Sequence, residues 1–349
     1  MDISHYPKRG GKLLYFSFNQ DFGCFSCGTE DGFFICNSDP LKERFRREWE
    51  GSGGIGIVEM LFRCNILALV GGGPNPKYPP NKVMIWDDYQ NKCIAELEFR
   101  TDVKAVRLRR DRIVVALINK VYVYNFADLQ LLFQFDTCQN PKGICALSAG
   151  TEMVLAVPGP KVGQVKIELY SAKKSTLIEA HNTAVAMLGL ARDGALLASA
   201  SEKGTLIRIW NCNTGQKLKE LRRGADKAII HSLNFNISST ALCVASDKGT
   251  AHIFTLPPPD ALTQAETAET RNKSSSLSFM KDVLPRYFSS EWSMAQFAMP
   301  PYSLCAFGAE PGSIVVVSAD GTFYKFLLDE ASGACRRVVC ESFLKHDAQ

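Results

Sequence analysis

The chain has 349 residues, 46% of them hydrophobic, and 40 Lys and Arg against 36 Asp and Glu give a formal charge of +4. That length holds one large all-β domain or two medium ones, and the apolar share is ordinary for a globular core. The thinly spread charge lacks the basic stripe of a nucleic-acid binder, and no apolar run is long enough to cross a bilayer as a helix.

The N-terminal run Met1-Asp2-Ile3-Ser4-His5 lacks the basic-then-apolar pattern of a secretory signal, so a cytosolic chain is expected. The 12 cysteines are scattered through apolar stretches and read as reduced, buried small hydrophobes.

From the start of the chain to its end, short β-rich runs recur, each opened by a turn. The turns are Asp31-Gly32, Asn81-Lys82, Asn119-Lys120, Val162-Gly163, Lys203-Gly204, Lys248-Gly249 and Asp320-Gly321. An apolar or aromatic run follows each, from Phe33-Phe34-Ile35 and Val83-Met84-Ile85-Trp86 to Ala251-His252-Ile253-Phe254 and Phe323-Tyr324-Lys325-Phe326. Most intervals are roughly 40–50 residues, the length of a four-stranded propeller blade. Seven anchors predict an all-β, WD40-like, seven-bladed β-propeller of four-stranded antiparallel blades, one domain over residues 1–349. A helical solenoid is disfavoured, because the runs are β-branched and aromatic without a 3.6 period. Only Trp86-Asp87 carries the Trp-Asp signature itself.

The last interval is about thirty residues too long for a blade, which places an insertion in the sixth blade at about 256–290. It opens on Pro257-Pro258-Pro259, runs polar through Arg271 to Ser276, then turns apolar and aromatic.

Blades five and six resemble one another. Ser199-Ala200-Ser201-Glu202-Lys203-Gly204-Thr205 is matched by Ala245-Ser246-Asp247-Lys248-Gly249-Thr250, and Arg208 and His252 follow in the next strands. Blade five ends on Leu221-Arg222-Arg223-Gly224. Neighbouring residues of an extended segment point to opposite sides, so Arg222 and Arg223 serve two pockets rather than one. Hydroxyls, turn N–H groups and guanidinium forks are the donors a multiply charged phosphate needs. His181, just before blade five, is a further donor, charged when beside a phosphate. Each residue also has a plainer reading: a solvated basic pair, turn-stabilising hydroxyls, a structural histidine.

These residues resemble the PROPPIN (WIPI) family of phosphoinositide-binding propellers over essentially the whole chain. The resemblance rests on Leu221-Arg222-Arg223-Gly224 and on Ser199 to Ile209. Further matches are Phe18-Asn19-Gln20-Asp21, Val58-Glu59-Met60-Leu61, Ala68 to Gly73 and Asn140-Pro141-Lys142-Gly143. The runs look most like the shorter metazoan WIPI subgroup. The resemblance implies an adaptor for autophagosome formation that reads phosphatidylinositol 3-phosphate and phosphatidylinositol 3,5-bisphosphate at two sites. His181, Ser201, Lys203, Thr205, Arg208 and Arg222 would form the first; Arg223, Ser246, Lys248, Thr250 and His252 the second. The insertion would be a membrane loop, inserting through Leu277, Phe279, Met280, Val283 and Leu284, since its start with Asp260, Glu266 and Glu269 is acidic. Asn19 and Asp21 would dock an autophagy lipid-transfer protein or, equally, form a turn. The implied protein is a cytoplasmic monomer recruited to preautophagosomal and endosomal membranes, with no cofactor, no nucleic-acid partner and no catalysis. The competing reading is a protein-interaction propeller without a lipid ligand.

Other motifs fail on geometry. Cys24-Phe25-Ser26-Cys27 lies in a strand that puts its thiols on opposite faces. Gly71-Gly72-Gly73-Pro74-Asn75-Pro76-Lys77 lacks the Gly-Lys-Ser/Thr ending of a phosphate loop. No Gly-x-Ser-x-Gly elbow occurs, and the 5 histidines have no metal-ligand spacing.

Overall fold

A computed structural model describes residue 1 and residues 13–258 and 290–344. Strands of two to nine residues alternate apolar and polar positions and end in tight turns. Blade one comprises β1 (Leu13–Phe18), β2 (Cys24–Thr29), β3 (Gly32–Ser38) and β4 (Leu41–Glu48). Blade two comprises β5 (Ile55–Met60), β6 (Ile66–Gly71), β7 (Lys82–Asp87) and β8 (Lys92–Glu98). Blade three holds β9 (Ala105–Arg109), β10 (Arg112–Ala116), β11 (Lys120–Asn125) and β12 (Leu131–Asp136). Blade four holds β13 (Ala146–Leu147), β14 (Val154–Pro158), β15 (Gln164–Leu169) and β16 (Lys174–Glu179). Blade five is β17 (Val185–Leu190), β18 (Leu196–Ser201), β19 (Leu206–Asn211) and β20 (Lys217–Arg222), extended by the short β24 (Glu291–Trp292). Blade six is β21 (Ile230–Phe235), β22 (Ala241–Ser246), β23 (Thr250–Thr255) and β25 (Ala295–Ala298). Blade seven is β26 (Ser303–Phe307), β27 (Ser313–Ser318), β28 (Thr322–Asp329) and β29 (Ala334–Ser342).

The seven blades form the expected all-β propeller, and each turn chosen as an anchor opens the third strand of its blade. Apart from β24 and β25, the strands of a blade are antiparallel neighbours in chain order, so their register is set by local hairpins. Gly204 shows why such a turn takes glycine: its φ is +61°, and a Cβ there would lie 1.9 Å from the Ala228 carbonyl oxygen.

Both faces of the inner strands are covered by neighbouring blades, so alternation there divides one interface from the next rather than core from solvent. Cys24 packs with Phe33, Ile57 and Val58 toward blade two. Cys27 packs with Phe25, Phe323 and Phe343 toward blade seven, so the two thiols do lie on opposite faces. Among the described residues the ring closes without strand exchange, by this same cluster and by Lys325, whose Nζ reaches Asp39 at 2.6 Å and Glu310 at 2.7 Å.

The cysteine expectation needs correction. Seven are buried, but Cys64 and Cys340 are exposed and Cys93, Cys138 and Cys335 half-buried, because outer strands and loops alternate against solvent. Among the described residues, no group of His, Cys, Asp and Glu could hold a metal, and no helix is long and apolar enough to cross a membrane.

The long insertion falls between β23 and β25, the third and fourth strands of blade six. Leu277, Phe279, Met280, Val283 and Leu284 lie outside the described residues.

Candidate functional site: the rim of blades five and six

The register of blade five sorts its basic residues onto two faces. On β19, Ile207 and Ile209 join the core shared with blade six, while Trp210 joins the core shared with blade four. Arg208 therefore points toward blade four, where its Nη1 donates to the Ala180 carbonyl at 2.6 Å. β20 pairs Leu206 with Arg222, Ile207 with Leu221 and Arg208 with Glu220. Arg222 thus shares the face of Arg208, and Arg223 shares that of Leu221, toward blade six. The Arg223 backbone N–H donates to the Thr205 carbonyl at 2.9 Å, tying the arginine pair to the blade-five turn.

The first face gathers His181, Arg208 and Arg222 beside the turn Ser201 to Thr205. His181 Nε2 lies 2.9 Å from Ser199 Oγ, which also accepts the Trp210 indole N–H at 2.9 Å. The ring is 8% exposed, and burial first, then the Arg208 guanidinium, pushes its pKa down to about 4. His181 is therefore a neutral imidazole in the ligand-free fold, while the expected charged form belongs to the phosphate-bound state. Arg208 is not an open fork either, since its Nε donates to Glu220 Oε2 at 2.9 Å. Ser201 is buried at the end of β18, Thr205 half-buried and Lys203 exposed.

The second face gathers Arg223, His252 and the turn Ser246 to Thr250. Arg223 is 6% exposed, and its Nε donates to the Gly204 carbonyl at 2.8 Å while Nη2 donates to the Asp226 carbonyl. Burial lowers its pKa, opposed by Asp247 and Asp226. His252 alternates with Ala251 and Ile253 and faces away from them, into the interface with blade five, where Phe254 is also buried. Burial first, then Arg223, pushes the His252 pKa down to about 4. Its Nε2 lies 3.3 Å from Thr250 Oγ1 and its Nδ1 3.1 Å from Ser293 Oγ. Ser246 Oγ accepts the Lys248 N–H at 3.4 Å, and the Lys248 side chain is exposed.

Sequence reasoning missed Ser199, Glu220, Asp226 and Ser293. Ser199 lay within the quoted motif without a role; it pairs with Arg208 and reaches Trp210 diagonally across the strands. Ser293 carried no such signal, since it comes after the insertion.

Asn19 and Asp21 sit in the turn between β1 and β2. Asn19 is buried, its Nδ2 donating to the Phe62 carbonyl at 3.1 Å and its Oδ1 accepting the Cys24 N–H at 3.1 Å. These are contacts of a turn-forming residue. Asp21 is half-exposed, accepts the Gly23 N–H at 3.0 Å and pairs with Arg63 at 2.9 Å. The triple-glycine loop folds against blade two itself: a Cβ at Gly71 would lie 1.6 Å from the Tyr78 carbonyl oxygen.

A closed ring of seven four-stranded blades with this rim defines a WD-repeat-type β-propeller. A model of the PROPPIN family matches residues 12–293. Autophagy-related protein 18e of Arabidopsis thaliana is 38% identical over 92% of this chain and 85% of its own. The chain belongs to the PROPPIN family. Among solved structures, Kluyveromyces lactis Hsv2 with its complete loop 6CD superposes with a TM-score of 0.76 at 23% identity, covering 96% of this chain and all of that one. KlAtg21 in complex with the coiled-coil of AgAtg16 superposes with a TM-score of 0.76 at 23% identity, covering 95% of this chain and 99% of that one. At that identity these two likenesses concern the fold.

Proposed function

We propose that the protein is a membrane-reading adaptor of autophagy, which binds phosphatidylinositol 3-phosphate and phosphatidylinositol 3,5-bisphosphate through two cradles on the rim of blades five and six. The observation that supports this most is the register of β20, which turns Arg222 toward Arg208 and His181 and Arg223 toward His252. Arg223 donates to Gly204 of the Ser-x-Lys-Gly-Thr turn and feels the charge of Asp247 in the Ser-Asp-Lys-Gly-Thr turn, and the lysine of each turn is exposed. Such a set supplies forked donors, hydroxyls and a mobile ammonium, the chemistry a phosphomonoester takes.

Arg223 is held by carbonyl oxygens and Arg208 by Glu220, so a phosphate would replace neutral acceptors at one cradle and compete with a carboxylate at the other. Each cradle is then individually weak. Two of them facing one bilayer act at high effective concentration, gaining roughly 10²–10⁴ in avidity. The blade-six insertion, with Leu277, Phe279, Met280, Val283 and Leu284, would add apolar contact with the membrane. The protein would move from the cytoplasm to preautophagosomal and endosomal membranes when the lipid forms there. Blades one to three, with Asp21 at their edge, would dock a lipid-transfer protein. KlAtg21 meets the coiled-coil of AgAtg16, and a comparable protein partner suits an adaptor.

The test is flotation with phosphatidylcholine vesicles that do or do not carry phosphatidylinositol 3-phosphate. The wild-type chain should float only with the phosphoinositide, and Arg222→Ala/Arg223→Ala should not float while keeping its melting transition. Undiminished flotation of a folded double variant would end the lipid reading in favour of a plain protein scaffold.

A further inference from the structure

After the insertion, the chain does not go straight into the fourth strand of blade six. Residues 291–292 first form β24, which runs parallel along the outer edge of β20, pairing Leu221 with Glu291 and Arg222 with Trp292. This makes blade five the one five-stranded sheet among the described blades. The contact is pinned by a half-buried ion pair, Lys219 Nζ to Glu291 Oε1 at 2.5 Å. One residue further on, Ser293 Oγ lies 3.1 Å from His252 Nδ1. The Met294 N–H then donates to the Ile253 carbonyl at 2.9 Å and leads into β25. Six residues thus join the edge carrying Arg222 and Arg223 to the strand carrying His252.

We propose that β24 is a strut that completes the two cradles, with Lys219, Glu291 and Ser293 as positioning residues: the ion pair fixes the arginine-bearing end of β20, and Ser293 fixes the His252 ring. This rests on the lipid reading above. The physical reason is that β20 would otherwise be an edge strand, whose last residues are the least constrained part of a sheet. A guanidinium fork binds phosphate well only when its backbone is held, because ordering it during binding lowers affinity. Ser293 serves a second purpose. A hydroxyl on Nδ1 fixes the orientation of the ring and leaves Nε2 toward Thr250 and the turn.

Titration with soluble inositol 1,3-bisphosphate, the head group of the monophosphorylated lipid, tests the strut without a membrane. Lys219→Glu and Glu291→Lys change the net charge in opposite directions. The strut predicts that both weaken head-group binding by roughly three- to tenfold, and that the double exchange restores it to within about twofold. Ser293→Ala should weaken the cradle of Arg223 and His252 alone, and Ser293→Thr, which keeps the hydroxyl, should not. If Glu291→Lys tightens binding while Lys219→Glu weakens it, bulk charge governs and the strut is wrong. Failure of the double exchange to restore binding, or indifference of all the variants, also overturns it. Lys219→Met and Glu291→Gln repeat the comparison should a charge reversal lower the melting temperature. A wild-type chain that binds neither the head group nor phosphoinositide vesicles ends the lipid reading, and the strut with it. Wild-type binding with unresponsive variants ends the strut alone.

Discussion

Three buried histidines weaken the fold in acid, opposed by the buried Glu59, whose pKa burial raises to about 7. His181, His231 and His252 are each held near a pKa of about 4 by burial, well below the ordinary 6.5. The unfolded chain takes up protons as pH falls through 6.5, while the folded chain does not until about 4. The histidines' contribution is therefore full above 6.5 and is lost progressively as pH falls toward 4, by about 2 kcal/mol per histidine at pH 5. Chemical denaturation at neutral and acidic pH checks this: the midpoint should fall on acidification, and His231→Phe, which removes one such group, should flatten the dependence. An unchanged midpoint would contradict it. At the same scale, Ser199 anchors both His181 and Trp210 at 2.9 Å within a fully buried setting. Ser199→Ala removes the hydroxyl that accepts the Trp210 N–H and meets His181 Nε2, and should destabilise the fold by roughly 1–3 kcal/mol in the same denaturation assay.

At the scale of elements, the turns were the most legible part of the sequence. Glycine or a polar residue opening a β-branched run marks a third strand, and all seven such turns sit where expected. Face assignments were legible from alternation, which parted Cys24 from Cys27, Arg222 from Arg223 and His252 from Ala251 and Ile253, but what covers each face was not, since that depends on the neighbouring blade. The parallel pairing of β24 with β20 left no local trace, because its two residues meet a strand some seventy positions earlier. The insertion is predicted to be separable from the fold. β23 pairs directly with β25, His252 opposite Gln296, so blade six is complete without the intervening residues. Replacing 259–289 by a Gly-Ser linker of equal length should leave the melting temperature and head-group affinity unchanged and weaken vesicle binding. A large loss of thermal stability would show that the insertion belongs to the fold.

At the scale of the molecule, closure of the ring makes the rim rigid. Blade seven meets blade one through the phenylalanine cluster and through Lys325, held by Asp39 and Glu310. In the proposed reading this closure opposes splaying of blades five and six, so that the two cradles would face one bilayer together. The central claim is that neighbouring arginines of one strand end close two distinct anion sites. The most direct measurement is the stoichiometry of inositol 1,3-bisphosphate binding by calorimetry, for the wild-type chain, Arg222→Ala, Arg223→Ala and the double variant. The account predicts two equivalents for the wild type, one for each single variant and none for the double. A single equivalent in the wild type, or loss of one and the same site in both single variants, would contradict it.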